Sequence, residues 1–393
     1  MKSGWVMKKL GEVCEVQLGK MLDKAKNKGK PYKYLANLSV RWRSFDLSNL
    51  RTMPFMDSEV EKFSLRPGDI LMCEGGEPGR CAIWQIPDSD IKFQKAVHRI
   101  RSKGTIEPAY LVAYFESIVN TVEFNSRLTG ATIKHLPRER LLEIPIPIPP
   151  LAEQKRIVAK IDAAFEKIDA LKANAERNLA NAKELFQSAL DEAMRPKKGW
   201  VEKRLGEVCE NITDGDHQPP PKVASGVPFL VISDVSKGHL SFEDTRFVSE
   251  EYYAKIPESK KPKIGDVLLT VTGSFGIPVL VDTEKRFCFQ RHIALLRSNQ
   301  MIPRFLVYQL SSHESFKYFD KVATGTAQRT VSLSSLRNME IVAPPFAEQE
   351  RIVEKIGGLK QKLDVLQHNY ARQIADCAEM RQAILREAFE GRL

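Results

Sequence analysis

No two of the six cysteines (Cys14, Cys73, Cys81, Cys209, Cys288 and Cys377) stand at CxxC spacing, and they are scattered along 393 residues. That argues against a zinc site or a disulfide framework and for reduced, mostly buried thiols. Missing too is any run of about 20 apolar residues, the length a membrane-spanning helix needs. The opening Met1-Lys2-Ser3-Gly4-Trp5 has no apolar signal core, so the chain is expected to be cytoplasmic. There is no Gly-rich strand-turn-helix fingerprint for a nucleotide cofactor, no GxxxxGK[ST] phosphate loop and no HExxH helix. What remains is ordinary globular composition, 42% hydrophobic and 28% charged, with a formal net charge of +10. Excess Lys and Arg tilt the expected partner toward a polyanion, although a charge of this size also serves solubility.

What the sequence does have is a repeat. Gly4-Trp5-Val6 with Lys9-Leu10-Gly11-Glu12-Val13-Cys14-Glu15 returns 195 residues later as Gly199-Trp200-Val201 with Arg204-Leu205-Gly206-Glu207-Val208-Cys209-Glu210. Pro149-Pro150-Leu151-Ala152-Glu153-Gln154 with Arg156-Ile157-Val158 returns at the same offset as Pro344-Pro345-Phe346-Ala347-Glu348-Gln349 with Arg351-Ile352-Val353. Between these frames the copies diverge. A period of this length is a domain rather than a solenoid unit, and each copy is long enough to bury a core. The sequence therefore divides into two globular domains at 1–149 and 198–344, each followed by a helical segment, 150–197 and 345–393.

Each Pro-Pro opens a long helix. Ile157, Ile161, Ala164, Ile168, Leu171, Ala175, Asn178, Ala182, Leu185 and Ala189 step by four and three, the spacing of a heptad seam. Adding 195 gives Ile352, Ile356, Leu359, Leu363, Leu366, Tyr370, Gln373, Cys377, Met380 and Ile384. From Leu151 to Met194 such a helix runs roughly 65 Å. Two apolar seams in one chain most simply cover each other, so an intramolecular antiparallel coiled coil is expected, with each helix lying on its own domain as the alternative. The globular parts read as mixed. Arg66-Pro67-Gly68-Asp69 before Ile70-Leu71-Met72, and Lys263-Ile264-Gly265-Asp266 before Val267-Leu268-Leu269, predict a turn and then a buried strand. Helices are predicted near 108–127 and 303–322, and 142–148 reads as an edge strand or an extended lead-in. The expected class is α+β: two pseudosymmetric mixed domains and two long helices.

Candidate contact residues lie in loops where the copies slip and recover. In the first domain Lys20, Lys26 and Lys30, with Tyr32, Arg41 and Arg43, interleave cations with aromatics, a pattern suited to phosphate tracking and base-edge contact or to a plain solvated basic loop. Gln94-Lys95 aligns with Gln290-Arg291. Lys134 follows one Thr-Gly loop, Gln328-Arg329 the other, and Ser274 sits in the Gly273–Gly276 loop. Asp216, His217 and Gln218 form a polar loop with groups for groove hydrogen bonding; no nucleophile is tied to Asp216 and His217 by spacing, so catalysis there is not expected. Gln and Arg suit adenine and guanine edges respectively. Ala343-Pro344-Pro345-Phe346 imitates the Asn/Asp-Pro-Pro-Tyr/Phe motif of adenine-N6 methyltransferases, but alanine offers no side-chain acceptor and the repeat marks this Pro-Pro as a helix start. Asp90-Ile91-Lys92, with Asp88 too close before it, makes no convincing nuclease metal site.

On these residues the whole chain resembles the specificity subunits of Type I restriction-modification systems, through the duplicated Pro-Pro-x-Ala-Glu-Gln-x-Arg-Ile-Val helix starts and the Gly-Trp-x-x-x-x-Leu-Gly-Glu-Val openings. The resemblance implies a noncatalytic DNA-recognition subunit in which each domain reads half of a bipartite, asymmetric site and the paired helices set the spacer. It implies two modification subunits and, through them, restriction subunits as partners, with S-adenosylmethionine, ATP and Mg in those partners and no cofactor in this chain. Identical partners need equivalent patches, which makes Glu153, Gln154 and Arg156 with Glu348, Gln349 and Arg351 docking candidates, helix capping being the other reading. The rivals are a self-contained methyltransferase or nuclease and a coiled-coil adaptor without catalysis.

Overall fold

Strand Ile70–Cys73 is buried along its whole length because it has a core on each face. Ile70 and Met72 point into one apolar cluster and Leu71 and Cys73 into another, the period-two alternation of a strand packed on both sides. Its counterpart Val267–Thr270 divides the same way, Val267 and Leu269 to one core and Leu268 to the other. The computed structural model of the protein describes residues 4–23, 27–217, 220–326 and 328–393.

The chain forms two compact units, residues 1–175 with 371–393, and residues 176–370. In the first, a four-stranded antiparallel sheet has the order Cys14–Leu18, Val97–Ser102, Ile70–Cys73, Cys81–Ile83. A three-stranded sheet beside it runs Arg51–Phe55, Lys30–Leu35, Lys92–Phe93. The second unit repeats both: Cys209–Asp214, Ile293–Ser298, Val267–Thr270, Pro278–Leu280, and Arg246–Val248, Val227–Leu230, Cys288–Phe289. Val6–Lys9 pairs with Pro145–Ile148, and Val201–Arg204 with Glu340–Ala343, so the segment leading into each long helix is a short edge ribbon. Pro145 and Pro147 of the first ribbon fit there, where one side of the strand needs no donor.

The predicted turns are built alike. Gly68 and Gly265 both adopt a φ of 92°, and the following aspartates, Asp69 and Asp266, each accept from the backbone N–H three residues back at 2.8 Å. Each aspartate is buried and receives a forked guanidinium, from Arg101 at 2.6 and 2.8 Å and from Arg297 at 2.8 and 2.6 Å. The helix predicted near 108–127 is two helices, Pro108–Ile118 and Val122–Ser126, because the Thr121 hydroxyl caps a new start on the Phe124 N–H. Ser312 does the same on Ser315, dividing Pro303–Leu310 from His313–Val322.

The long helices span Leu151–Ala193 and Phe346–Phe389. In the first unit the start of one shares a core with the end of the other: Ile157, Ile161, Phe165 and Ile168 with Cys377, Leu385 and Ala388. Arg381 crosses between them, paired with Asp169 at 2.8 Å and stacked 4.1 Å over Phe165. In the second unit Leu190, Ala193 and Met194 share a core with Ile352 and Ile356. Both pairings are antiparallel, as expected. The strict heptad seam is not kept, however. Phe165 and Leu190 are buried where Ala164 and Ala189 were expected, and Leu171, Leu185, Leu366 and Met380 are exposed. A straight helix drifts by about 20° per heptad, and each end of these helices packs on the globular core of the unit it lies in, which selects the 3.6-residue stripe over the 3.5-residue one. Trp5, Phe389 and Leu393 pack on one core, bringing the chain's ends together as the continuous chain does between Met194 and Trp200 in the second unit.

Candidate nucleic-acid interface

One backbone device recurs in both units and fixes a polar concavity beside it. Gly19 and Lys20 run against the segment 93–97: Gly19 N–H donates to Val97 O at 3.0 Å, Lys20 N–H to Phe93 O at 3.1 Å, and Lys95 N–H returns to Lys20 O at 2.8 Å. Gln94 N–H reaches Leu35 O, and Val97 N–H closes a turn on Gln94 O at 2.9 Å. Gly215, Asp216, Phe289, Gln290, Arg291 and Ile293 reproduce every bond, with Leu230 standing for Leu35. A Cβ on Gly19 or Gly215 would run into the backbone at Gln94 or Phe289, so only glycine permits the approach. Gln94 and Gln290 thus stand at the first corner of matching turns, with Lys95 and Arg291 exposed at the next position.

The concavity of the first unit measures about 470 Å³ and is lined by Tyr34, Asn37, Ser39, Arg41, Asp46, Asn49, Arg51 and Gln94 among others. That of the second, about 190 Å³, is lined by Asp216, His217, Phe229, Arg246, Gln290, Arg291 and His292. Strand register makes them equivalents: Tyr34 lies opposite Arg51, and Phe229 opposite Arg246. Each site therefore has a buried aromatic floor, an exposed arginine and a glutamine. Arg51 and Arg246 were not among the residues singled out from sequence. The 195-residue offset connects them, but their neighbours have diverged and nothing local marks them.

Several predicted contacts have other tasks. Lys20 is buried, donates to Pro54 O at 2.9 Å, pairs with Glu59 and lies 4.9 Å over the Phe55 ring. Arg43 bonds Glu116 at 2.8 Å and Asp162 at 2.9 Å and stacks on Phe165, binding its loop to the long helix. Both charges are neutralised internally. Arg329 is bound to Asp320 and lies over Phe275. Arg41 stays on the rim of the first concavity, 3.7 Å from Asp46. Lys30 is exposed on its strand and Tyr32 is half-buried with Lys92 above its ring. Lys134 lines a separate hollow beside Trp42 and Arg80, and Ser274 and Gln328 are exposed on neighbouring loops. His217 bonds Asp214 at 2.9 Å, while Asp216 accepts from the Tyr252 hydroxyl at 2.7 Å. Burial and then that carboxylate push the Tyr252 phenol upward. His292 is pushed down by burial and by Arg291, which favours its neutral form. Lys26 and Gln218 lie outside the described residues.

The expected docking residues divide. Gln154 and Gln349 are buried: each amide oxygen accepts a backbone N–H at 2.8 Å, from Glu107 and Ile302, and each amide nitrogen donates to the Pro149 or Pro344 carbonyl, at 2.8 and 2.9 Å. They clamp the helix start to the loop ahead of the earlier helix, Pro108–Ile118 or Pro303–Leu310, and are buried, with no surface to offer a partner, which corrects their assignment as docking groups. The sequence pattern was sound in showing a repeated constraint; the constraint is internal. Replacing either by alanine is expected to cost roughly 1–3 kcal/mol, because buried backbone groups lose their partners; a lowered melting temperature, with partner binding intact below it, checks this. Glu153–Arg156 and Glu348–Arg351 are forked pairs at 2.6–2.8 Å. Arg351, with help from Lys197, holds the Glu348 carboxyl down to about 2. Pro345 O accepts the first helical N–H groups, so Pro344-Pro345 serves as a helix start.

All six cysteines are buried, and burial raises the Cys14, Cys209 and Cys288 thiols to about 12. Among the described residues no group of three or more His, Cys, Asp or Glu side chains is placed to hold a metal, and no helix is long and apolar enough to cross a membrane.

The profile of the Type I restriction modification DNA specificity domain matches residues 2–179 and again 197–372. The chain is 26% identical over 372 residues to the Type I restriction enzyme EcoKI specificity subunit of Escherichia coli strain K12, covering 89% of this chain and 80% of that one. It is 25% identical over 297 residues to the EcoBI specificity subunit of Escherichia coli, covering 68% and 62% respectively, so the match spans somewhat under two thirds of that relative. Among solved structures, a chain from work on complex assembly and conformational transition of the type I R-M system superposes with a TM-score of 0.77 at 24% identity, over 100% of this chain and 99% of that one. The HsdS subunit from Thermoanaerobacter tengcongensis superposes at 0.59 with 25% identity, over 100% and 98%.

Proposed function

The chain belongs to the Type I restriction-modification DNA specificity family, whose domains recognise rather than catalyse, and from that premise we propose that it supplies the DNA address of a Type I complex. It binds one bipartite, asymmetric duplex site in the cytoplasm, each domain reading one half and the paired helices fixing the unread gap. The observation that carries this is the pair of concavities on one repeated backbone. The arginine and glutamine recur, while Asn37, Ser39, Asp46 and Asn49 line the first concavity and Asp216, His217, Arg291 and His292 the second. Equal frames with unlike linings suit unlike half-sites, and hence a nonpalindromic target. Selection of duplexes from a random pool at fixed salt by the purified chain tests the reading. A two-part motif with a constant gap is expected; retention of all duplexes alike, falling only with salt, would contradict it.

Two modification subunits, which in turn hold the restriction subunits, dock on equivalent patches at the helix starts. Supporting this are exposed apolar side chains in register: Val6 and Val201 at 56% and 55%, Leu151 and Phe346 at 44% and 54%. Glu153, Arg156, Glu348 and Arg351 lie alongside them in sequence on the same first turns. Leu151→Asp or Phe346→Asp is expected to leave one bound modification subunit, and the double variant none, in native mass measurement. An aspartate suits a helix start, so the fold is kept; a fully loaded double variant would exclude the patch.

A further inference from the structure

We propose that Arg51 and Arg246 are the equivalent base-reading residues of the two domains, each working with the glutamine of its own concavity, Gln94 or Gln290, on the major-groove edges of neighbouring purines. This rests on the DNA-address reading above and specifies which atoms do the reading. Three observations lead to it. Strand register puts each arginine directly across from the aromatic floor of its site, Tyr34 or Phe229. Both arginines are exposed, and among the described residues neither has an ion pair or a side-chain hydrogen bond. By contrast Lys20, Arg43 and Arg329 are each held by a carboxylate of their own unit. An arginine that folding leaves unpaired keeps its planar fork for a ligand.

The backbone gives the fork a fixed base. Arg51 and Arg246 each sit on a strand in a three-stranded sheet, and Gln94 and Gln290 on turns closed by three or more backbone bonds. Placement on rigid elements suits discrimination between bases, whereas general attraction to phosphate needs no such precision. The arginine fork matches guanine O6 and N7, and the glutamine amide matches adenine N6 and N7. Because both are kept in the two copies, they supply what the half-sites share, purines at corresponding steps. The side chains that differ around them supply what the half-sites do not share.

The test is duplex selection by the full chain, unaltered and as Arg51→Ala, Arg246→Ala and Arg246→Lys. The unaltered chain returns two half-sites. Arg246→Ala is expected to lose preference at one or two adjacent positions of one half by roughly 5- to 150-fold, the worth of one bidentate base contact, with the other half untouched; Arg51→Ala does the converse. Arg246→Lys retains charge but not the fork, so it keeps most of the affinity and loses the same letters. If the letters stay and affinity falls evenly with a shallower salt slope, the arginines are phosphate contacts and the proposal is wrong. Unchanged letters with unchanged affinity overturn it equally. A full chain that selects no motif at all removes the address reading together with this one.

Discussion

Exchanging residues 198–344 for the corresponding segment of another family member is expected to rewrite one half of the recognised sequence and leave the other half letter for letter. The segment carries its own four-stranded and three-stranded sheets, its own apolar clusters and its own Gln290 turn, so it takes its reading surface with it. The ribbon Val201–Arg204 with Glu340–Ala343 brackets the segment, and the Gln349 clamp just beyond it reaches back to Met301, Ile302 and Pro344. Specific sites are held typically 10³–10⁷ tighter than random duplex, so the old target should fall to background and a new one should rise from it. Selected motifs before and after exchange check this. A motif changed in both halves would mean that reading is not divided between the domains.

The second large effect is on folding. Asp266→Ala leaves Arg297 without its forked carboxylate and the Lys263 N–H without an acceptor, in a turn that precedes the strand shared by two cores. Breaking one partner of a buried pair costs about 3–5 kcal/mol, a large part of any domain's stability. Calorimetry should show one transition shifted sharply down and the other nearly unmoved. Asp69→Ala, which removes the equivalent acceptor of Arg101, should shift the other transition. Equal, small shifts in both transitions would show that these turns do not bear on folding.

Much of this was legible in the sequence because the chain supplies its own comparison. Whatever recurs after 195 residues is a constraint, and the frames Gly4 to Glu15 and Pro149 to Ile161 marked the edge ribbons and the helix starts. The kind of constraint was harder to read. Gln154 stands between Glu153 and Arg156 on a helix whose first turn reads as surface, and only the arrival of the Glu107 backbone, 47 residues earlier in the chain, shows that its amide faces inward. The basic stretch of the first domain misled for the same reason. Lys20 finds Glu59 and Arg43 finds Glu116 and Asp162 across 39, 73 and 119 residues, and no local pattern reports such pairings. Arg51 and Arg246 show the opposite property, the lack of a side-chain partner among the described residues, which only coordinates reveal.

If this chain gives a methylating complex its address, removing it erases one methylation pattern. Mapping methylated adenines across the host genome with the gene intact and deleted tests it most directly. A bipartite motif of two unlike halves with a constant gap should be methylated in the first map and absent from the second. An unchanged map, or loss of a single uninterrupted motif, would contradict the account.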